Sequence, residues 1–193
     1  DIIAIAPTGS GKTVAYALPI IHQLIGKEPA KNRHIKVLIL VPTRELAVQV
    51  EKVIKSFCLS LPDRIKSMAV FGGVSINPQM INMNGVQILV ATPGRLIDLV
   101  DSKALHLSDV EILVVDESDK MLNLGFAAEM QNILKLLPQK RQNLLFSATF
   151  NLEIEKLAQL ILKSPEKIEV ASQTIATELI NQQAYSLEDA DKG

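Results

Sequence analysis

Short runs rich in Ile, Val and Leu recur along the chain, largely without polar alternation: Ile2–Ala6, Val37–Val41, Ser67–Phe71, Gln87–Ala91, Ile112–Val115, Asn143–Phe146 and Lys167–Val170. A strand that is apolar on both sides must be covered on both sides. Between these runs lie helical patterns at Lys12–Ile25, Arg44–Ser60, Arg95–Val100, Ala127–Leu137 and Leu152–Leu162. Strands that alternate with helices predict an α/β domain with a mostly parallel sheet and helices on both faces. Gly26–His34 reads as a charged surface loop, and apolar density falls from Ser172 onward, as in a linker.

Bulk properties narrow the options further. A chain of 193 residues makes one sizeable domain. At this size folding hides roughly 70% of the surface of the unfolded chain, so no covalent staples are needed. Net charge is −1, so any nucleic-acid binding must come from local loops rather than a bulk positive field. The single cysteine, Cys58, rules out an internal disulfide and suits a reducing, cytoplasmic compartment. Its expected role is that of a buried, inert thiol. No apolar run approaches the ~18 residues of a membrane span, and no signal-peptide pattern opens the chain. Asp1 leads straight into strand-like sequence and the chain ends on polar Glu188–Gly193, so the expectation is a piece of something longer.

One pattern is more telling than composition. Five strands run into polar clusters: Pro7–Thr13 (PTGSGKT), Pro42–Leu46 (PTREL), Thr92–Arg95 (TPGR), Asp116–Asp119 (DESD) and Ser147–Thr149 (SAT). In a parallel sheet all these ends lie on one edge, which is where open α/β folds bind ligands. Five clusters on that edge imply a shared site.

Thr8, Gly9, Ser10 and Gly11 can turn several backbone N–H groups toward an anion. Ala6 stands where the strict phosphate-loop pattern has its first glycine. Lys12 sits where a helix begins, so its charge opposes the positive end of the helix dipole unless a phosphate lies between them. Thr13 can place its hydroxyl on Mg²⁺. Asp116 and Glu117 follow a buried strand, where adjacent like charges raise each other's pKa unless a cation neutralises them. Mg²⁺ takes one or two carboxylates plus waters and phosphate oxygens. That makes Asp116 the metal-side acid and leaves Glu117 as general base for an attacking water.

Thr43–Arg44 and Thr92–Gly94–Arg95 each set a hydroxyl and a guanidinium where a strand gives way to a helix. They suit a phosphate clamp, and they equally suit an N-cap with a surface arginine. Gly72–Gly73 allows close approach of a nucleic-acid backbone, or makes a plain loop. Ser147 and Thr149 offer hydroxyls that can bond Asp119, or cap locally. His22, His34 and His106 have no metal-ligand spacing. Met80 and Met83 read as core filler, and aromatic residues are too few for a base-stacking platform.

Taken in order, APTGSGKT (6–13), PTRELA (42–47), GG (72–73), TPGR (92–95), DESD (116–119) and SAT (147–149) resemble the first RecA-like domain of a DEAD-box ATP-dependent RNA helicase. The resemblance runs from Asp1 to about Val170. It implies a RecA-like P-loop NTPase domain over residues 1–171, with 172–193 leading toward a second RecA-like domain of the same full-length chain. It further implies that Lys12 contacts the β- and γ-phosphates of ATP, that Thr13 and Asp116 hold Mg²⁺, and that Glu117 orients the water. Thr43, Arg44, Gly73, Thr92, Gly94 and Arg95 would hold the RNA backbone without reading its sequence. Asp119, Ser147 and Thr149 would couple the nucleotide to the RNA. In the family, bending one strand unwinds a short duplex and hydrolysis releases the RNA.

Ser118 replaces the family's usual Ala, and an Ala at position 6 is common there. The upstream segment carrying the adenine-reading Gln and the second domain carrying arginine fingers are both missing. Such a finger is worth on the order of 10³–10⁵ in rate, so this chain alone is expected to be nearly inactive. Two other readings compete. A P-loop GTPase would need an N-K-x-D element, which the sequence lacks, and a small-molecule kinase would not need two Thr/Arg clamps. A non-catalytic nucleotide- and RNA-binding module would not need the Lys12 and Glu117 chemistry.

Overall fold

The computed structural model describes residues 1–28, 33–59, 61 and 65–170. The linker expected from residue 172 lies outside the described residues. Seven strands form one sheet: β1 (Ile2–Ile5), β2 (Val37–Leu40), β3 (Ser67–Val70), β4 (Ile88–Ala91), β5 (Ile112–Val115), β6 (Gln142–Ser147) and β7 (Glu166–Glu169). Their order is β3-β4-β2-β5-β6-β1-β7, and every pair is parallel. The helices are α1 (Lys12–Leu24), α2 (Arg44–Cys58), α3 (Asn77–Ile81), α4 (Pro93–Asp101), α5 (Ser118–Asn123), α6 (Ala127–Leu136) and α7 (Leu152–Ile161).

The inner strands are apolar because alternate residues feed two separate cores. Ile3 and Ile5, Leu38 and Leu40, Leu89 and Ala91, Leu113 and Val115 pack with α4, α6 and α7 on one face. Ala4, Val37, Ile39, Ile88, Val90, Ile112, Val114, Leu144 and Phe146 meet α1 and α2 on the other. The expected two-sided cover holds for the inner strands but not for β7, an edge strand of mostly charged residues that is exposed at every position. Fully burying one such Leu or Ile stabilises the fold by about 1.5–3 kcal/mol. Cys58 is free and buried in the second core, and burial pushes its thiol up, which fits an inert sulfur. Met83 is fully buried and Met80 packs against the first core, as expected of filler.

The topology fixes the site. The turns that follow β1, β2, β4, β5 and β6 all leave the same edge. β6 alone separates β1 from β5, so the turn after β1 and the acids after β5 lie roughly 10 Å apart across the sheet. No helix among the described residues is long and apolar enough to cross a membrane.

Candidate functional site

The turn after β1 opens with Ala6, whose N–H continues the sheet ladder to the Ser147 carbonyl at 3.0 Å. Gly9 and Gly11 then take φ of 82° and 89°, in the left-handed region that side chains disfavour. Gly11 caps α1, and no side chain closes the cap. The first N–H groups of α1 are thus left for an anion. The Lys12 ammonium donates to the Ala6 and Pro7 carbonyls at 2.7 and 2.9 Å. The sequence argument allowed only a phosphate to relieve this charge at the head of a helix. The fold supplies a second solution, two carbonyls of the preceding turn.

Asp116 ends β5 and is 2% exposed. Its Oδ2 accepts from the Tyr16 hydroxyl at 2.9 Å and its Oδ1 from the Glu117 N–H at 2.8 Å. Burial pushes the Asp116 carboxyl up. The Tyr16 and Glu117 N–H hydrogen bonds and the nearby Lys12 charge pull it back, and the Glu117 charge adds only a minor upward push. The expected upward push of the neighbouring acid on Asp116 is thus present, but desolvation outweighs it. Glu117 sits at φ 48°, ψ 47°, a left-handed conformation costing a non-glycine residue about 1–3 kcal/mol. Its carboxylate pairs with Lys120 at 3.0 Å.

These groups share one cavity of about 290 Å³, lined by Thr8, Gly9, Gly11, Lys12, Thr13, Asp116 and Glu117, with Leu46, Gln49 and Val53 of α2 as its wall. Lys12 and the acidic pair therefore face the same space. Two larger hollows, about 500 and 420 Å³, lie against α7 and are mainly apolar. Neither gathers a comparable set of charged and hydroxyl groups. The Thr13 hydroxyl and the Asp116 carboxylate form an all-oxygen set at a deeply buried charge, which fits a hard cation such as Mg²⁺. Among the described residues no group of three His, Cys, Asp or Glu suits a softer metal.

A second cluster lies at the ends of β2, β3 and β4. Thr43 caps α2, its Oγ1 accepting from the Leu46 N–H at 3.3 Å, whereas Thr92 makes no side-chain cap. Arg44 is exposed and lies 5.0 Å over the Phe71 ring. Arg95 is only 8% exposed. Its Nη2 donates to the Val74 carbonyl at 2.8 Å, and its buried Nη1 has no partner. Gly73, at φ 77°, turns the chain between Phe71 and Val74, and Gly94 opens α4 half-buried. The two arginines thus grip the Gly-Gly loop from either side.

The third group is split. Thr149 Oγ1 donates to Asp119 Oδ2 at 3.3 Å, as expected of the pair. Ser147 is fully buried, and its hydroxyl oxygen accepts from the Thr149 N–H at 3.3 Å rather than meeting Asp119. Ser118, read as a small-for-small change, gains a partner: its hydroxyl donates to the Phe146 carbonyl at 3.0 Å.

Two residues at these sites escaped the sequence reading. Tyr16 looks like any core aromatic until its hydroxyl is seen on Asp116. Gln79 is 7% exposed, and its amide exchanges two 3.2 Å hydrogen bonds with the Phe71 backbone. Gln79 lies six residues beyond Gly73 among Asn77, Pro78 and Asn82, where a polar side chain is ordinary, so the sequence carries no signal for such a brace.

Comparison with known proteins agrees with this geometry. The profile of the DEAD/DEAH box helicase family matches residues 1–157. The chain is 39% identical over 193 residues to the DEAD-box ATP-dependent RNA helicase CshA of Streptococcus pneumoniae, covering 100% of this chain and 36% of that protein. It is 42% identical over 195 residues to the DEAD-box ATP-dependent RNA helicase RhpA of Helicobacter pylori, covering 100% of this chain and 38% of that one. The chain thus spans little more than a third of the length of these relatives. A DEAD box protein of the hyperthermophile Methanococcus jannaschii superposes with a TM-score of 0.78 at 38% identity, over 88% of this chain and 45% of that one. A yeast DEAD-box splicing factor gives 0.82 at 36% identity, over 89% and 41%. With a phosphate-type turn and an acidic pair facing one cavity on a parallel sheet, this chain belongs to the DEAD/DEAH box helicase family.

Proposed function

We propose that this domain is the ATP-binding half of an RNA-dependent ATPase and RNA helicase. The reading is carried by one observation: Lys12, Thr13, Asp116 and Glu117, distant in sequence, line a single cavity. The names of the relatives, ATP-dependent RNA helicases, support it. In this reading the N–H groups of the turn from Thr8 to Gly11 hold the polyphosphate, and Lys12 leaves the Ala6 and Pro7 carbonyls for phosphate oxygens. Thr13 and Asp116 would hold Mg²⁺, which when bound would offset charge on the phosphates. Glu117 releases Lys120 and accepts the proton of a water whose oxygen bonds the γ-phosphorus as the β–γ bridge breaks. ADP and phosphate are the products.

Thr43, Arg44, Gly73, Thr92, Gly94 and Arg95 hold the RNA backbone, and Asp119 with Ser147 and Thr149 links that surface to the nucleotide. Ser147 does so through its carbonyl bond to Ala6 and its bond to the Thr149 N–H. Residues 1–171 make up the domain, and 172–193 lead to a second RecA-like domain that completes the site. The protein is cytoplasmic, in keeping with its lone buried thiol.

The test is ATP hydrolysis, with and without RNA, by a chain carrying both domains. Lys12→Ala abolishes nucleotide binding. Glu117→Gln keeps binding and lowers turnover about 10²–10⁴-fold, because an amide cannot take the proton. Full activity in Glu117→Gln would remove Glu117 as the base, and would favour a plain binding role for this pair.

A further inference from the structure

We propose that Tyr16 is a positioning residue for the magnesium site: its hydroxyl holds the Asp116 carboxylate from the helix that carries Thr13 and fixes its orientation before the ion arrives. The inference rests on the reading above, in which Thr13 and Asp116 hold Mg²⁺. Tyr16 lies three residues beyond Thr13 and four beyond Lys12 on α1, so all three project from one side of its first turn. The side chain is 2% exposed, and its ring packs on Phe146 of β6 at 5.1 Å with a 55° tilt. Ring packing alone would be served by Phe. The hydroxyl is what needs explaining.

A buried phenol can donate once and still accept. Here it donates to Asp116 Oδ2 at 2.9 Å from α1, the helix that also carries Thr13. Asp116 Oδ1 is meanwhile held by the Glu117 N–H. Each carboxylate oxygen is thus fixed by one donor and keeps a lone pair for a cation or its water. Groups that orient a metal ligand in this way are worth about 10–100-fold in metal affinity. The phenol therefore connects the strand that carries the acid to the helix that carries the hydroxyl.

The experiment follows binding of a fluorescent ADP analogue to this chain, in EDTA and across a Mg²⁺ titration. Tyr16→Phe raises the Mg²⁺ midpoint about tenfold, while affinity in EDTA stays as in the wild type; the lost hydrogen bond to a buried carboxylate lowers the unfolding midpoint, but circular dichroism shows the variant folded at the assay temperature. An unchanged Mg²⁺ midpoint overturns the proposal, and so does an equal loss of affinity in EDTA and in Mg²⁺, which marks a packing defect. In the Asp116→Asn background, Tyr16→Phe adds nothing to the Mg²⁺ midpoint. A further shift there would mean that Tyr16 does not act through Asp116. Asp116→Asn alone separates the two ideas. If it leaves the Mg²⁺ dependence untouched, the metal reading falls. If it removes that dependence while Tyr16→Phe changes nothing, only the role of Tyr16 falls.

Discussion

The two edges of the sheet handle charge in opposite ways. At the strand starts, charged and polar groups are paired. Glu111 meets Lys27 at 2.8 Å and Lys36 at 3.0 Å. The Asp1 carboxylate accepts from the Asn143 N–H, the Asn143 amide and the Lys163 N–H at 2.7–3.0 Å. Lys66 covers the Asn82 and Asn84 carbonyls, and His34 stacks on His106 with Asp109 at 3.2 Å from its Nδ1. At the strand ends, the Asp116 carboxylate is buried on two hydrogen bonds with no salt bridge among the described residues, Glu117 is held in a left-handed conformation, and Lys12 heads a helix with only two carbonyls to meet its charge. The first edge is arranged for stability. The second keeps unfavourable features that a magnesium-bound polyphosphate would relieve, which is how strain concentrates at functional sites.

That contrast breaks most visibly at Asp1. Replacing Asp1 with Ala leaves two backbone N–H groups and one amide short of an acceptor, and hydrogen bonds to a charged group contribute about 1.5–3 kcal/mol. A loss of about 2 kcal/mol lowers the unfolding midpoint by about 4–8 °C in a domain of this size, readable by calorimetry. Asp116→Asn has the opposite sign. Burial raises the folded-state pKa of Asp116 above its unfolded value, so the ionised form costs stability at neutral pH and that cost disappears as pH falls through the raised value. The neutral amide removes it, so the midpoint in EDTA rises by a few degrees and the gain shrinks toward acid pH. A fall in the midpoint would show that the carboxylate is as well served as those on the other edge.

The smallest effect belongs to Glu111→Gln. Glu111 is 42% exposed, and pairs this open contribute about 0.2–1 kcal/mol. Lys27 first, and then Lys36, hold its carboxyl below the usual glutamate range. Its contribution is therefore full above the unfolded pKa and is lost as pH falls through the lower folded value. The variant should lose at most about 4 °C at neutral pH, less in high salt, and progressively less as pH falls through the lowered folded value.

The inner strands were legible because burial on both faces leaves unbroken apolar runs, while β7 is an exposed edge strand; the ends of all seven differ from expectation by at most about one residue. The strand order was not legible. Every connection has the same strand-helix-strand grammar, so nothing local says that β6 separates β1 from β5. The two helices that went unread, α3 and α5, have five and six residues and are too short to display a period. At the site, Lys12, Thr13, Asp116 and Glu117 were legible because their charges sit where a strand end gives them no ordinary use. Tyr16 and Gln79 were hidden because their roles depend on one or two hydrogen bonds to distant or backbone partners. Arg44 and Arg95 looked alike in sequence. The fold separates them, one exposed on an aromatic ring and the other buried against a carbonyl.

The most direct measurement is a crystal structure of this chain with ADP and Mn²⁺ in place of Mg²⁺, with anomalous density locating the metal. The account predicts a peak between the Thr13 hydroxyl and the Asp116 carboxylate, with Lys12 moved off the Ala6 and Pro7 carbonyls onto phosphate oxygens. A nucleotide whose phosphates lie outside the turn from Thr8 to Thr13, or a metal peak away from Asp116, would contradict it.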